Sequence, residues 1–115
     1  MALTEAVKIY GFGSYFSGEH ATPGDIDLLV LHASEAKDSI NFAICCKRAL
    51  SRAIPKVHIT MLSEPEERDL SFRSKSNATF LSSVREDTIS QNVQNILRII
   101  EMSAGIAVGR RRSHR

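Results

Sequence analysis

The chain of 115 residues has two cysteines, Cys45 and Cys46, and they are adjacent. Neighbouring residues rarely meet disulfide geometry with each other, and nothing spaces this pair as metal ligands. They fall in a helical pattern, where they read as small, partly buried apolar residues. Long apolar runs are missing as well. No stretch approaches the length of a membrane span, and the first residues carry no signal-peptide core, so no membrane association is expected and cytoplasm is the expected location. A broad positive surface is also lacking, despite a formal net charge of +2. Of 15 basic residues, Arg110, Arg111, Arg112 and Arg115 crowd the last six positions, which leaves 11 against 13 acidic residues elsewhere. A mildly acidic body implies no wide nucleic-acid-binding face, and nucleic acid stays a weakly supported partner through the tail alone. No repeat is visible, no lysine follows a glycine loop as in a P-loop, and the glycines lack dinucleotide-fingerprint spacing. His20, His32 and His114 are too scattered to form a metal cage.

What is present is the composition of an ordinary globular protein, 43% hydrophobic and 24% charged, long enough for one domain with its own core. Val7 to Phe12 forms a β-type run ended by Gly13-Ser14. Asp25 to Leu31 forms a second, opened by a Pro23-Gly24 turn, and its near-continuous apolar residues suit a strand covered on both faces. Ser34 is placed to cap a helix from about Glu35 to Ile54, with Ala36, Ile40, Ala43, Ile44, Leu50 and Ile54 on one face, interrupted by Lys47; Pro55 stops it. Val57 to Leu62 is a third strand. Ser63 to Glu67 reads as an acidic loop or helix start, Arg73 to Ser76 as a polar loop, and Phe80, Leu81 and Val84 as a short helix. A last helix from about Thr88 to Ala104 carries Ile89, Val93, Ile96, Leu97, Ile100 and Ala104 in one stripe, with Gly105 as its C′ residue. The expected architecture is α/β of the α+β type: a small central mixed β-sheet with flanking helices over residues 1–105, then a basic, irregular tail over 106–115.

Two short features carry chemistry. Gly13-Ser14 directly follows a strand, where glycine permits close backbone approach to a ligand and a following helical turn aims N–H groups at an anion. Taken singly, this is as well read as a plain turn. Asp25 and Asp27 lie two apart on a strand, hence on one face, where like charges repel unless a cation lies between them. Mg²⁺ prefers such carboxylates together with substrate phosphates. Taken singly, the pair is equally a solvated strand end.

Joined, the stretch GFGSYFSGEHATPGDIDLLVL resembles the signature of the DNA polymerase β-like nucleotidyltransferase superfamily, most closely its minimal bacterial members. The likeness is strong over residues 7–31 and rests beyond them on element order. It implies transfer of a nucleoside monophosphate from a nucleoside triphosphate to an acceptor. Gly13 and Ser14 then hold the nucleotide, while Asp25 and Asp27 are catalytic and hold Mg²⁺ (or Mn²⁺).

The chain departs from that pattern in three places. The family's third carboxylate, on the next core strand, is replaced by His58. An imidazole is a poor Mg²⁺ ligand, better suited to Mn²⁺ or Zn²⁺, and is also a base near neutral pH. His58 is therefore either a catalytic base or the mark of a degenerate site. Glu64, Glu66 and Glu67 follow that strand, either reaching the metals or forming a solvated helix start. Only Met1 to Ala6 precede the first strand, where the minimal family has a helix. Tyr15 and Phe16 replace the basic residues often found after Gly-Ser, which weakens the triphosphate grip and favours a stacking or core role. The resemblance leaves two functions: an active nucleotidyltransferase, or a catalytically degenerate nucleotide-binding or partner-binding, antitoxin-like module. It also suggests a helical protein partner or a homodimer completing the cleft, with the last helix's stripe as the contact unless that stripe is core.

Overall fold

A computed structural model of the chain describes residues 7–17 and 26–112. Its elements are β1 (Val7–Phe12), α1 (Ser14–Ser17), β2 (Ile26–His32), α2 (Lys37–Ala53), β3 (Val57–Ser63), α3 (Glu64–Leu70), α4 (Phe72–Ser76), β4 (Thr79–Val84), a 3₁₀ turn (Glu86–Thr88) and α5 (Ile89–Arg112). The strands form one four-stranded sheet in the order β3-β2-β1-β4. β1 is antiparallel to both β2 and β4, whereas β2 and β3 run parallel and α2 connects them. The sheet is therefore mixed, as expected for an α+β domain.

β2 sits near the middle of the sheet, and Leu28 to His32 are all buried. Alternate residues feed two separate cores. Leu28 and Val30 join Val7, Ile9, Phe42, Ala43, Cys46, Leu50, Ile96 and Ile100 beneath α2 and α5. Leu29 and Leu31 join Leu62 on the opposite face, where Tyr10, Phe12 and Phe72 pack. A strand buried on both sides has to be apolar at nearly every position, which is why the run shows no alternation.

α2 starts later than its sequence suggests. Its N-cap is Ala36, which makes no side-chain capping bond, while the Ser34 hydroxyl accepts from the Ala36 N–H at 3.2 Å within the preceding turn. That turn is held by Ser39 Oγ, which accepts from the Ser34 N–H at 3.1 Å, and by buried His32, whose Nδ1 donates to the Ser34 carbonyl at 2.8 Å. The buried face is Ser39, Phe42, Ala43, Cys46 and Leu50, which keeps Ala43, Leu50 and the adjoining Ile54 of the expected stripe but not Ala36, Ile40 and Ile44. Phe42 and Cys46 rotate the face, and Lys47 then points outward and interrupts nothing. Cys46 is buried and Cys45 exposed, both free. Burial, helped by the neighbouring Cys45, pushes the Cys46 thiol up to about 12.

Other expectations are overturned as well. Phe80, Leu81 and Val84 lie on a strand, β4, which closes the β1 edge. The register shifts between Ile9 and Tyr10, which face Ser82 and Phe80, so Leu81 is an extra residue. A bulge of this kind turns adjacent residues towards one face, letting Leu81 and Val84, three apart, both reach the core and mimic a helical period. Arg73 to Ser76 belongs to α4 rather than to a loop. The stripe on α5 is core as far as Ile100: Val93, Ile96 and Ile100 are buried, with Ile89 and Leu97 packed against them, while the Ala104 side chain lies outside the described residues. It is thus not a face held out for a partner. Gly105 lies inside α5, which continues through the first basic residues to Arg112.

α3 begins with a capping box. Ser63 Oγ accepts from the Glu66 N–H at 3.3 Å, and Glu66 Oε1 accepts from the Ser63 N–H at 2.8 Å. Those Ser63 hydrogen bonds, backbone first and hydroxyl second, hold the Glu66 carboxyl below the usual carboxylate range. A lowered folded pKa contributes stability above the unfolded value, lost as pH falls through the folded one. The difference in Tm between the wild type and Glu66→Ala is therefore expected at neutral pH and should vanish in acid. A difference independent of pH would show that the charged form contributes nothing.

Candidate active site

β1 ends at Phe12, and the chain must then turn sharply into α1. Gly13 does this at φ 81°, a left-handed conformation that side chains disfavour, and its carbonyl accepts from the Phe16 N–H at 3.2 Å. The β1–β2 register pairs Phe12 with Asp27, which brings the head of β2 beside this turn. A Cβ placed on Gly13 would lie 2.5 Å from Asp27 Oδ2. The Asp27 carboxylate thus occupies the space that a side chain at position 13 would need.

On the other side of β2, parallel pairing sets Asp27 directly opposite His58 of β3. Partnered residues on adjacent strands share a face, with the strands roughly 4.8 Å apart. Asp27 is half-buried and His58 exposed. Gly13, Asp27 and His58 therefore meet at one end of the sheet, and Ser14 opens α1 beside them. Asp25 lies outside the described residues. Among the described residues, no three His, Cys, Asp or Glu side chains gather at one point.

Of the glutamates after β3, Glu66 and Glu67 are engaged elsewhere. Glu66 closes the capping box. Glu67 is buried and bound by Arg73, whose Nε lies 3.2 Å from Glu67 Oε1 and whose backbone N–H donates to Oε2 at 2.7 Å. Tyr15 and Phe16 take a structural role. The Phe16 ring fills the space over Gly11, where a Cβ would come within 2.5 Å of it, and Tyr15 donates to the Ile100 carbonyl of α5 at 3.2 Å. Burial, with Glu101 nearby, raises the Tyr15 pKa and keeps that donor protonated.

The face bearing Asp27 and His58 is flanked by residues that short-range reasoning missed. Phe12 meets Phe72 of α4 edge to face at 5.0 Å, and Tyr10 meets Phe80 at 5.5 Å. Arg73 donates to the Tyr10 hydroxyl at 2.9 Å and lies 5.4 Å from its ring centroid. The only sequence signal for this wall is the aromatic alternation of Tyr10 and Phe12 in β1.

The donor chemistry suits a hard divalent cation at Asp27, because a carboxylate shared with phosphate oxygens is how Mg²⁺ is usually held. His58 adds nitrogen where a second hard ion would need oxygen. Among the described residues, no helix is long and apolar enough to cross a membrane.

A mixed four-stranded sheet with flanking helices, and a glycine turn packed on the aspartate of the adjoining strand, is the layout of a nucleotidyltransferase-type domain. The model of the nucleotidyltransferase domain family matches residues 3–94, and the chain belongs to that family. The match takes in β1 to β4 and the start of α5. Nucleotidyl transfer is the family's general activity, and its members typically use divalent metal ions. No curated protein and no solved structure matches the chain.

Proposed function

We propose that the chain binds a nucleoside triphosphate with a divalent cation and transfers its nucleoside monophosphate to an acceptor hydroxyl. Asp27, together with Asp25, holds the cation, and Gly13 and Ser14 hold the triphosphate. The single observation that carries this reading is the close approach of the Asp27 carboxylate to the backbone of Gly13. It brings a metal-binding oxygen and a glycine turn to one point, which phosphate and its counterion both require. When bound, the cation would neutralise the leaving pyrophosphate and acidify the attacking hydroxyl. The protein's own part is to fix the phosphates against Gly13, to orient them with Asp27, and to present His58 beside the acceptor.

His58 favours a second reading of the same site. An imidazole in place of a third carboxylate supports one cation binding well and a second binding poorly. The isolated chain then binds nucleotide and transfers slowly with Mg²⁺, as a degenerate or partner-dependent module would.

Gly13→Ala tests the first reading. The left-handed backbone costs a non-glycine residue about 1–2 kcal/mol, and the new methyl drives the Asp27 carboxylate aside. The expected outcome is a Tm lower by roughly 4–8 °C, with a larger proportional loss of metal-dependent nucleotide binding. Nucleotide binding that survives unchanged would mean that the closeness of Gly13 and Asp27 serves the fold alone.

A further inference from the structure

β3 is an edge strand, and among the described residues no strand lies on its outer side. Its seven residues, VHITMLS, contain no proline, lysine, arginine, aspartate or glutamate. Proteins normally guard a sheet edge with charges, prolines or bulges. The opposite edge, β4, has its bulge, and β3 has no such device within it. Beside it runs a groove of about 610 Å³, floored by Ile44 and Met61 and rimmed by Lys47, Arg48, Ser51 and Arg52 of α2. No acidic side chain lines it. Lys47, Arg48 and Arg52 are exposed, and among the described residues none of them makes an ion pair. A cation in a helix's last turn suits the dipole, which accounts for Arg52. It does not account for three cations around an apolar floor next to a bare strand.

We propose that this edge and groove receive an extended acidic segment of another protein, which adds to the sheet as a fifth strand beside β3. Its backbone pairs with β3, one apolar side chain rests on Ile44 and Met61, and carboxylates meet Lys47, Arg48 and Arg52. Strand addition takes affinity from main-chain hydrogen bonds and specificity from alternate side chains, and this site supplies both. Charge argues against a second copy as the occupant. Two-fold pairing of β3 with β3 lays both α2 helices on one sheet face and sets the basic rows side by side, which like charges oppose. Nucleic acid fits less well, since the groove has no aromatic side chain for base stacking. β3 also carries His58, so the added strand borders the catalytic cleft.

The test uses the full chain, isotopically labelled, with a short capped peptide alternating valine and glutamate as probe. Its valine–lysine counterpart and a single-stranded oligouridylate serve as comparisons. The glutamate peptide is expected to slow exchange of the β3 amides and shift the Ile44 and Met61 methyl signals, with affinity falling as salt rises. Lys47→Glu with Arg48→Glu, both on exposed positions, should weaken it by roughly tenfold or more. Equal binding of the lysine peptide, no binding of the glutamate peptide, unprotected β3 amides, or tighter binding of the oligouridylate at the same residues would each overturn the proposal. So would concentration-dependent dimerisation through β3.

Discussion

Replacing Asp25 and Asp27 together with asparagine is expected to abolish metal-dependent nucleotide binding while leaving the fold intact or more stable. Neighbours that merely orient metal ligands are worth about 10–100-fold in affinity, so loss of the ligand carboxylates should exceed a hundredfold or so. The fold should not suffer, because Asp27 is only half-buried at the head of β2, just before the fully buried Leu28 to Leu31. Removing two like charges from one region also removes repulsion. Calorimetric titration with a nucleoside triphosphate and Mn²⁺ reads the first effect, and Tm reads the second. A large fall in Tm with nucleotide binding preserved would make the pair structural.

The second large effect is a gain. His58 stands in register with Asp27, at the position where the superfamily resemblance leads one to expect a third carboxylate. His58→Asp supplies a hard oxygen donor for a second cation, and Mg²⁺-dependent transfer is expected to rise on the order of tenfold or more. The readouts are pyrophosphate release and covalent nucleotide addition, scanned over protein, RNA-end and small-molecule acceptors, with Mn²⁺ as control. His58 is exposed and lies on an edge strand, and the Tm of the variant checks that the fold survives the substitution. Robust wild-type turnover with Mg²⁺ that His58→Asp destroys would instead make His58 a working base.

β1, β2 and β3 were legible in the sequence because each is a short, dense apolar or β-branched run with clear punctuation. Gly13 and Asp27 were legible as a pair only through their spacing, since each taken singly fits an ordinary turn or strand end. β4 was not legible. Its bulge makes Leu81 and Val84 face the same core at a spacing of three, and period-based reading assigns such spacing to a helix. On α2 the expected Ala43, Leu50 and Ile54 are buried, but Phe42 and Cys46 join them in place of Ala36, Ile40 and Ile44. That choice is made by packing, not by hydrophobicity. The Arg73 links to Tyr10 and Glu67 joined residues as far as 63 positions apart, and no local pattern records them.

On the proposed function, nucleotide and metal meet at the Gly13 turn and the Asp27 carboxylate. Paramagnetic broadening by Mn²⁺ in the presence of a non-hydrolysable nucleoside triphosphate, recorded on the labelled chain, tests it most directly. Broadening is expected to centre on the Gly13 and Asp27 amides and the His58 ring, to require nucleotide for full effect, and to be lost in Asp25→Asn with Asp27→Asn. Broadening centred elsewhere, or unchanged in that double variant, would contradict it.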